Sequence, residues 1–385
     1  MIPRNITRNE NAVEGRVYLS ATGNPEPARV QWNRMGKIER IVRLDTRAND
    51  LPLILPGFID EHVHGAQGHD VMEANIESWS TIGQALAKHG VTSFLATTLS
   101  ASEPELQQVM ECAQNYPEHP QNNLIGLHWE GPYIDPAFKG AQPLEAIRGV
   151  DMKEIQSLMR EKSGVAVPVR LVTLAPNLPR SMPLIDWLVE RGIRVNLGHS
   201  GAEREETIDA VKHGADGITH LFNGMAGLHH RHPGMVGTAL TEEALWLELI
   251  TDGIHIHPDV VRLVFHVAAS RVILVTDGIS ATDCSPGKHK LGKWLVNVDE
   301  GSAHLEDGTL AGSILSTDQS LRNLLQWGVP LRQIVYSWSE APARRFGLTE
   351  HGRIEPGYYA DLVELDSEYR VLGTLKHGQW IYEKE

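Results

Sequence analysis

Eight short apolar segments alternate with helical patterns along the middle of the chain. Strands that alternate with helices usually form a parallel sheet, because each helix carries the chain back across a face of that sheet. Eight such strands are enough to close a (β/α)8 barrel, which we predict, with an open doubly wound sheet as the alternative. The predicted strands cover residues 53–59, 92–98, 124–128, 170–174, 194–197, 217–221, 246–250 and 271–275.

The segments between these strands carry the periodicity of amphipathic helices. Three of them end at a glycine, namely Gly90, Gly192 or Gly214, where a helix C-terminus commonly adopts the left-handed conformation. We also predict an inserted hairpin over residues 294–309, before the last helix. The predicted helices cover residues 76–89, 103–115, 152–162, 182–190, 204–213 and 317–326.

Both ends of the chain differ from its middle. Their short segments alternate apolar and polar residues in the manner of strands with one buried face. We therefore predict an α/β protein with two domains. Residues 1–52 and 349–385 would form a small β-sandwich domain from both chain termini, and residues 53–348 would form the TIM-type barrel.

The composition excludes several classes of partner. With a formal net charge of −14, the surface would repel nucleic acid and anionic membranes. No apolar run approaches the ~20 residues of a membrane span. The two cysteines, Cys112 and Cys284, lack the spacing of a metal site or of a disulfide framework. Because the N-terminus also lacks a signal-peptide pattern, we expect a cytoplasmic protein.

Histidines and carboxylates follow most of the predicted strands. His62 and His64 lie one residue apart after the first strand, and alternate residues of a strand share a face, so both imidazoles can bind one metal ion. Active sites of (β/α)8 barrels form at this end of the strands, and imidazole and carboxylate ligands suit zinc, iron, manganese or cobalt. The candidates after the later strands are Glu130, His199, His220, Asp252 with His255, and Asp277.

These candidates lie in motifs that resemble those of a known family. The motifs include Gly126-Leu-His-Trp-Glu130-Gly-Pro, Gly198-His199-Ser, Thr219-His220-Leu-Phe-Asn223-Gly-Met, His230-Arg231-His-Pro-Gly, Val275-Thr-Asp277-Gly, Leu310-Ala-Gly-Ser and Ile354-Glu-Pro-Gly-Tyr-Tyr-Ala-Asp361. In this order they resemble the amidohydrolase superfamily and, within it, the N-acetylglucosamine-6-phosphate deacetylases. The similarity covers nearly the whole chain.

The resemblance implies a hydrolytic metal centre with one or two divalent ions, for which zinc is favoured over iron, manganese or cobalt. Glu130, His199 and His220 would hold one ion. His62, His64 and Asp277 would hold a second ion, with Glu130 as the bridge. Asp277 would also take a proton from the attacking water and deliver it to the departing amine.

The resemblance also implies a substrate, a phosphorylated amino sugar whose acetamide is hydrolysed to the free amine and acetate. Arg231 would bind the phosphate across the interface of a homodimer, since a guanidinium matches phosphate oxygens. The residues that would contact the sugar are Ala141, Gln142, Asn223, Gly224, His255, Leu310, Ala311 and Gly312.

Four positions depart from the family pattern. Gln142 replaces a common histidine, Gly224 and Gly278 replace alanines, and residues 340–343 read Glu-Ala-Pro-Ala where Asn-Pro-Ala is usual. Several of these changes touch the sugar pocket, so N-acetylgalactosamine 6-phosphate is an alternative substrate. A second alternative is an N-acyl-D-amino acid or a cyclic amide, but enzymes of that kind often use a bridging lysine after the fourth strand, where this chain has Asn177. A non-enzymatic scaffold should have lost ligands, and none is missing.

Overall fold

The middle of the chain forms an eight-stranded parallel barrel in a computed structural model that describes residues 11–45, 51–117, 119, 121–159, 168–299 and 301–385. The predicted (β/α)8 fold is confirmed. The first and last strands are joined where the Asp277 amide donates to the His62 carbonyl (3.0 Å) and the His64 amide to the Gly278 carbonyl (2.8 Å). The barrel strands are Phe58–Val63, Val91–Thr98, Leu124–Glu130, Val169–Leu174, Arg194–Leu197, Gly217–Ile218, Trp246–Leu249 and Val272–Leu274.

Amphipathic helices surround these strands. In Pro258–Ala268, for example, the buried residues Val261, Val264, Phe265 and Ala268 recur at helical spacing, as expected for a helix with one face on a core. The α-helices are Ile76–Ala87, Glu103–Asn115, Met152–Leu158, Ser181–Val189, Arg204–Lys212, Gly234–Thr241, Pro258–Ala268, Thr317–Gln326, Leu331–Val335 and Ala341–Arg345. Short 3-10 helices cover Val71–Glu73, Pro136–Phe138, Leu144–Ala146 and Ala269–Arg271, and Tyr336–Glu340 is a π-helix.

Two helix predictions need correction. The third predicted helix ends at Leu158, and residues 160–162 of its predicted range lie outside the described residues. The helix predicted as the last, Thr317–Gln326, has the predicted bounds but is followed by Leu331–Val335 and Ala341–Arg345. These two helices and the π-helix Tyr336–Glu340 between them form one continuous helical segment, and the π-helix interrupts its 3.6-residue period. None of the helices within the described ranges is long and apolar enough to cross a membrane.

Strands from both ends of the chain pair in one continuous seven-stranded sheet, which corresponds to the predicted terminal β domain. One face carries an apolar cluster that includes Val17, Val30, Trp32, Leu362 and Leu375. In sheet order the strands are Gln379–Glu383, Val371–Lys376, Leu362–Leu365, Leu53–Pro56, Ala12–Leu19, Asn24–Trp32 and Ile38–Arg43.

The predicted strand at 53–59 is wrong as a single strand of the barrel. Leu53–Pro56 belongs to the terminal sheet, and the barrel strand begins only at Phe58. A Cβ atom on Gly57, between them, would lie 2.3 Å from the Thr92 side chain, so the chain can change sheets here only without a side chain. We therefore place the domain boundary near Gly57, one short strand later than predicted.

A small antiparallel sheet covers the carboxyl end of the barrel. It consists of Gly287–Leu291, Trp294–Asp299 and Ser302–His304, so the predicted hairpin at 294–309 has an additional strand before it. Its side chains Leu291, Val296 and Ala303 pack in one cluster with Leu99 and Ile279 from the barrel. This packing fixes the small sheet over the ends of the strands. A second short hairpin pairs Gly65–Ala66 with His69–Asp70.

Candidate metal centre

Six predicted ligands meet at the carboxyl end of the barrel strands, and all six are buried. Three of them have left-handed backbone conformations, with φ of 45° at His199, 30° at His220 and 51° at Asp277. Such conformations cost free energy for residues other than glycine and persist where the surrounding structure enforces them, often at functional sites. The backbone therefore turns sharply just past the strand ends and directs these side chains inward. The six residues are His62, His64, Glu130, His199, His220 and Asp277.

One group of three ligands contains Glu130, His199 and His220. The Glu130 Oε1 atom lies 3.2 Å from His199 Nε2 and 3.0 Å from His220 Nε2. The two imidazole nitrogens are 3.1 Å apart. Atoms that bind one ion tetrahedrally at ~2.0 Å are separated by about 3.3 Å, so these three side chains have the spacing of a shared cation site.

The second group contains His62, His64 and Asp277. The Nε2 atoms of His62 and His64 are 3.2 Å apart, and they lie 3.4 Å and 3.2 Å from Asp277 Oδ1. Glu130 connects the two groups, because its Oε1 lies 3.5 Å from His62 Nε2 and its Oε2 lies 3.3 Å from His64 Nε2. The arrangement could hold two adjacent cations with Glu130 between them.

The protonation of the four imidazoles supports a cation. Each histidine uses Nδ1 to donate a hydrogen bond to an oxygen that can only accept, so the neutral ring keeps its lone pair on Nε2. All four Nε2 atoms then point at one another and at carboxylates, an arrangement of acceptors that a metal ion satisfies. The acceptors are Glu248 Oε2 for His62 (3.0 Å), the Thr97 carbonyl for His64 (3.2 Å), the Phe138 carbonyl for His199 (2.9 Å) and the Asn223 carbonyl for His220 (3.1 Å).

The acidic and basic groups shift each other's pKa when no cation is bound. Burial alone would raise the pKa of Glu130, but the charge on His62 and hydrogen bonds from His199 and His220 lower it well below its usual range. Burial alone would lower the pKa of His64, but its contacts with Asp277 and Glu130 raise it to about 9. The two carboxylates therefore stay ionised and attract positive charge, whether protons or a metal ion.

Sequence reasoning missed the residues that orient these ligands. Glu248, in the seventh barrel strand, accepts from His62 and from the His220 amide (3.2 Å), and its other oxygen accepts from Asn196 Nδ2 (2.6 Å). Asp60 accepts from the Thr276 hydroxyl (2.6 Å) and so joins the first strand to the last. Both acids lie within strands, where a charged residue is usually interpreted as facing solvent. Only barrel closure turns them inward.

A pocket adjoins the six ligands, and most of the predicted sugar contacts line it. Ala311 is the exception, because it is buried in the apolar cluster with Ile279 and Leu291. Arg231 lies outside the pocket, exposed on a loop beside His230. The predicted contacts that line the pocket are Ala141, Gln142, Asn223, Gly224, His255, Leu310 and Gly312.

Gln142 has a position that its predicted role did not anticipate. Its amide Nε2 donates to Glu130 Oε2 (2.6 Å), and its Oε1 accepts from the Ser100 amide (2.7 Å). Because the Ser100 amide can only donate, the orientation of the Gln142 amide group is determined by this network. Gln142 therefore helps to position the Glu130 carboxylate.

Comparisons with known proteins agree with this geometry. Residues 53–381 match the model of the amidohydrolase family. The chain is 37% identical to N-acetylglucosamine-6-phosphate deacetylase of Lysinibacillus sphaericus over 98% of this chain and 97% of that protein. It is also 37% identical to N-acetylgalactosamine-6-phosphate deacetylase of Escherichia coli O157:H7, over 86% and 88%. The crystal structure of N-acetylglucosamine-6-phosphate deacetylase from Thermotoga maritima superimposes with a TM-score of 0.89 at 36% identity, over 97% of this chain and 100% of that one.

Proposed function

The chain belongs to the amidohydrolase family, and from that premise we propose that it is a deacetylase of N-acetylhexosamine 6-phosphates. It hydrolyses the acetamide of N-acetylglucosamine 6-phosphate to the amino sugar phosphate and acetate. The observation that carries this proposal is the pair of buried ligand groups that share Glu130 next to a pocket. The names of the relatives supply the substrate class.

The residues of the centre fit a divalent ion, for which we propose zinc. Glu130, His199 and His220 would hold one ion, and His62 with His64 and Asp277 would hold a second. A divalent ion bound there supplies Lewis-acid chemistry, because it makes hydroxide available near neutral pH and polarises a carbonyl group. Four imidazoles and two carboxylates, without thiolates, suit zinc and can also bind iron, manganese or cobalt.

Asp277 acts as the general base and acid. Its Oδ1 lies 3.4 Å from His62 Nε2 and 3.2 Å from His64 Nε2. Burial alone would raise the pKa of Asp277, but the neighbouring His62 and His64 lower it, so the carboxylate is ionised and can accept a proton from the attacking water. The same carboxyl group then delivers that proton to the departing amine nitrogen.

His255 orients the sugar. It lines the pocket, and its Nδ1 donates to Asp252 Oδ2 at 2.6 Å. Burial alone would lower the pKa of His255, but this contact with Asp252 raises it, which favours a ring that donates hydrogen bonds. The opposite ring nitrogen is then available to a sugar hydroxyl.

The phosphate requires a cation that the pocket of one chain does not include. None of the described residues that line this pocket is a lysine or an arginine. Arg231 is exposed outside the pocket, where it could reach a phosphate bound in the pocket of another copy. We therefore propose a homodimer in which each Arg231 completes the partner's site. We also propose a cytoplasmic location, because both cysteines are free thiols.

N-acetylgalactosamine 6-phosphate is a second candidate substrate. The relative that carries this name has the same 37% identity to the chain as the glucosamine enzyme from L. sphaericus. The two sugars differ only in the configuration at C4. Gln142, which departs from the family pattern, holds Glu130 and Ser100 and so does not distinguish the two sugars by itself.

A panel of acetylated substrates tests the proposal. Purified, zinc-loaded protein is assayed for released acetate with both N-acetylhexosamine 6-phosphates, with unphosphorylated N-acetylglucosamine and with N-acetyl-D-amino acids. We expect acetate from a phosphorylated sugar at a kcat/KM well above that of the unphosphorylated sugar. Faster release from an N-acetyl-D-amino acid, or equal rates with and without phosphate, would contradict the proposal, and the ratio for the two epimers decides between them.

A further inference from the structure

A second group of potential metal ligands lies in the terminal sheet, outside the barrel. It contains His351, Asp361 and His377, and one ligand atom from each lies within 4.8 Å of the others. We propose that these three residues form a separate transition-metal site that ties together the ends of the terminal domain. The barrel chemistry does not use them, and nothing in the proposed function requires them.

Three separate segments bring these residues together. His351 follows the last α-helix of the barrel domain, Asp361 immediately precedes strand Leu362–Leu365, and His377 lies in the turn after strand Val371–Lys376. Because Leu362–Leu365 and Val371–Lys376 are neighbours in the sheet, the start of one meets the end of the other. A bound ion would cross-link three segments that only the fold brings together.

The carboxylate at the centre of the group contacts both neighbours. Asp361 Oδ2 lies 2.7 Å from His351 Nδ1, and Asp361 Oδ1 accepts from the His377 backbone amide at 2.7 Å. A carboxylate beside two imidazoles is a donor set that suits zinc, copper, nickel or cobalt.

His377 provides the observation that a simple ion pair does not explain. Its Nε2 atom is buried and has no hydrogen-bond partner among the described residues. Its backbone is left-handed, with φ of 49°, in the two-residue turn that it forms with Gly378 between paired strands. A buried nitrogen lone pair without a donor costs free energy, and a metal ion would remove that cost.

The two lysines nearest to this group are paired with other residues and do not occupy the space between its ligands. Lys376 directs its ammonium to the Thr92 carbonyl (2.6 Å) and the Ser93 hydroxyl (3.2 Å). Lys37 is paired with Glu350 (2.5 Å). Both charges therefore have partners of their own.

An aromatic ring packs against the imidazoles. The Tyr359 ring lies 5.0 Å from the His351 ring and 4.2 Å from the His377 ring, measured between centroids. This packing restricts the rotation of both imidazoles, so the ligands are partly ordered before an ion binds. Three protein ligands leave a fourth tetrahedral position for water.

Zinc stoichiometry tests the inference in the full chain. Metal-depleted wild-type protein, His377→Asn and His351→Gln are titrated with Zn²⁺ alone against a chromophoric chelator. Asparagine tolerates the left-handed conformation, so His377→Asn removes the ligand without adding backbone strain. His266→Gln, at an exposed histidine of helix Pro258–Ala268, is the matched control. Circular dichroism verifies that each variant is folded.

We expect each ligand variant to bind one zinc ion fewer than wild type and the control, with kcat at saturating zinc unchanged. This loss of one zinc ion per chain does not depend on whether the barrel binds one ion or two. The terminal site and the proposed function can therefore fail separately. Equal stoichiometry in all four proteins would overturn the inference. If a variant does not fold, zinc-edge anomalous diffraction from wild-type crystals at millimolar zinc tests the site instead. The absence of a peak between His351, Asp361 and His377 would also overturn the inference.

Discussion

The barrel centre and the terminal ligand group of His351, Asp361 and His377 are built in opposite ways. In the barrel, four imidazoles are at most 6% exposed, and each has its Nδ1 hydrogen-bonded to an oxygen outside the cluster. In the terminal sheet, the side chain of His351 is 19% exposed and its Nδ1 bonds to Asp361 within the cluster itself. The barrel cluster therefore has an outer layer of supporting groups that the terminal cluster lacks.

This difference indicates different tasks. Outer hydrogen bonds determine the tautomer and ring orientation of a ligand before an ion arrives, as a reaction centre requires. A cluster whose members bond mainly to one another can still bind an ion, but its ligands are less completely ordered beforehand. We therefore expect chemistry at the barrel centre and only structural stabilisation at the terminal one.

The largest expected effect is a loss of kcat when the proposed general base of the barrel centre is replaced. Asp277→Asn removes the proposed general base while keeping the size of the side chain, and kcat should fall by about 10²–10⁴-fold. Because substrate contacts are retained, KM should change little. Steady-state acetate release measures both values, with Asp299→Asn, at an exposed position, as the control. Near-normal turnover of Asp277→Asn would remove Asp277 from its assigned role.

A smaller effect tests the supporting layer of the barrel. Glu248→Gln preserves the shape of the side chain but weakens its hydrogen bond with His62, and loss of such outer partners typically lowers metal affinity by about 10- to 100-fold. Competition with a chelator measures the zinc affinity of the barrel, with Glu39→Gln on exposed surface as the matched control. An unchanged affinity would mean that the outer hydrogen bonds do not distinguish the two clusters.

Glu248 also illustrates what the sequence could not reveal. The six ligands follow strand ends, and chain order alone places strand ends at one rim of a barrel, so their convergence could be predicted. Glu248 lies between Leu247 and Leu249, which is the pattern of any strand with one polar face, and only the closed barrel turns that face toward His62. The terminal cluster could not be predicted for a related reason, since strand pairing brings His377 to Asp361 and only the fold adds His351.

The first barrel strand shows a second limit of sequence reasoning. Residues 53–59 are apolar, and Pro56-Gly57 is the one signal in that run for the change of sheet at Gly57. Leu53 and Leu55 pack with the barrel core, whereas Ile54 packs in the terminal cluster, so both faces of this strand are buried. A strand buried on both faces loses the alternation that would have revealed its register.

Proton release on zinc binding provides a third comparison between the barrel centre and the terminal group. The pKa of His64 is raised to about 9 in the metal-free barrel, so at pH 7 a bound zinc ion must displace a proton, and this release should decline as the pH rises through 9. Burial lowers the pKa of His377, so that ligand should release no proton at pH 7.

Calorimetric titration with zinc in buffers of different ionisation enthalpy measures the protons released per ion. His377→Asn isolates the barrel contribution. If the number of protons released per zinc ion at the barrel did not change between pH 7 and 9, the assigned protonation of His64 would be contradicted.

The smallest expected effect concerns the space around His199. A Cβ atom on Gly224 would lie 2.9 Å from His199 Nδ1, and Gly224 has φ of 62°. Gly224→Ala should therefore lower the free energy of unfolding by about 1–3 kcal/mol. Gly227→Ala, where a Cβ atom meets nothing within 4 Å, is the control for denaturant unfolding. Equal free energies of unfolding for the two variants would show that His199 is not rigidly packed against Gly224.

Zinc-edge anomalous diffraction from zinc-loaded wild-type crystals tests the central claim most directly. The account predicts a strong peak bonded to Glu130, His199 and His220, within reach of the group formed by His62, His64 and Asp277. Crystals that show no anomalous peak among these six side chains, from protein that still releases acetate, would contradict it.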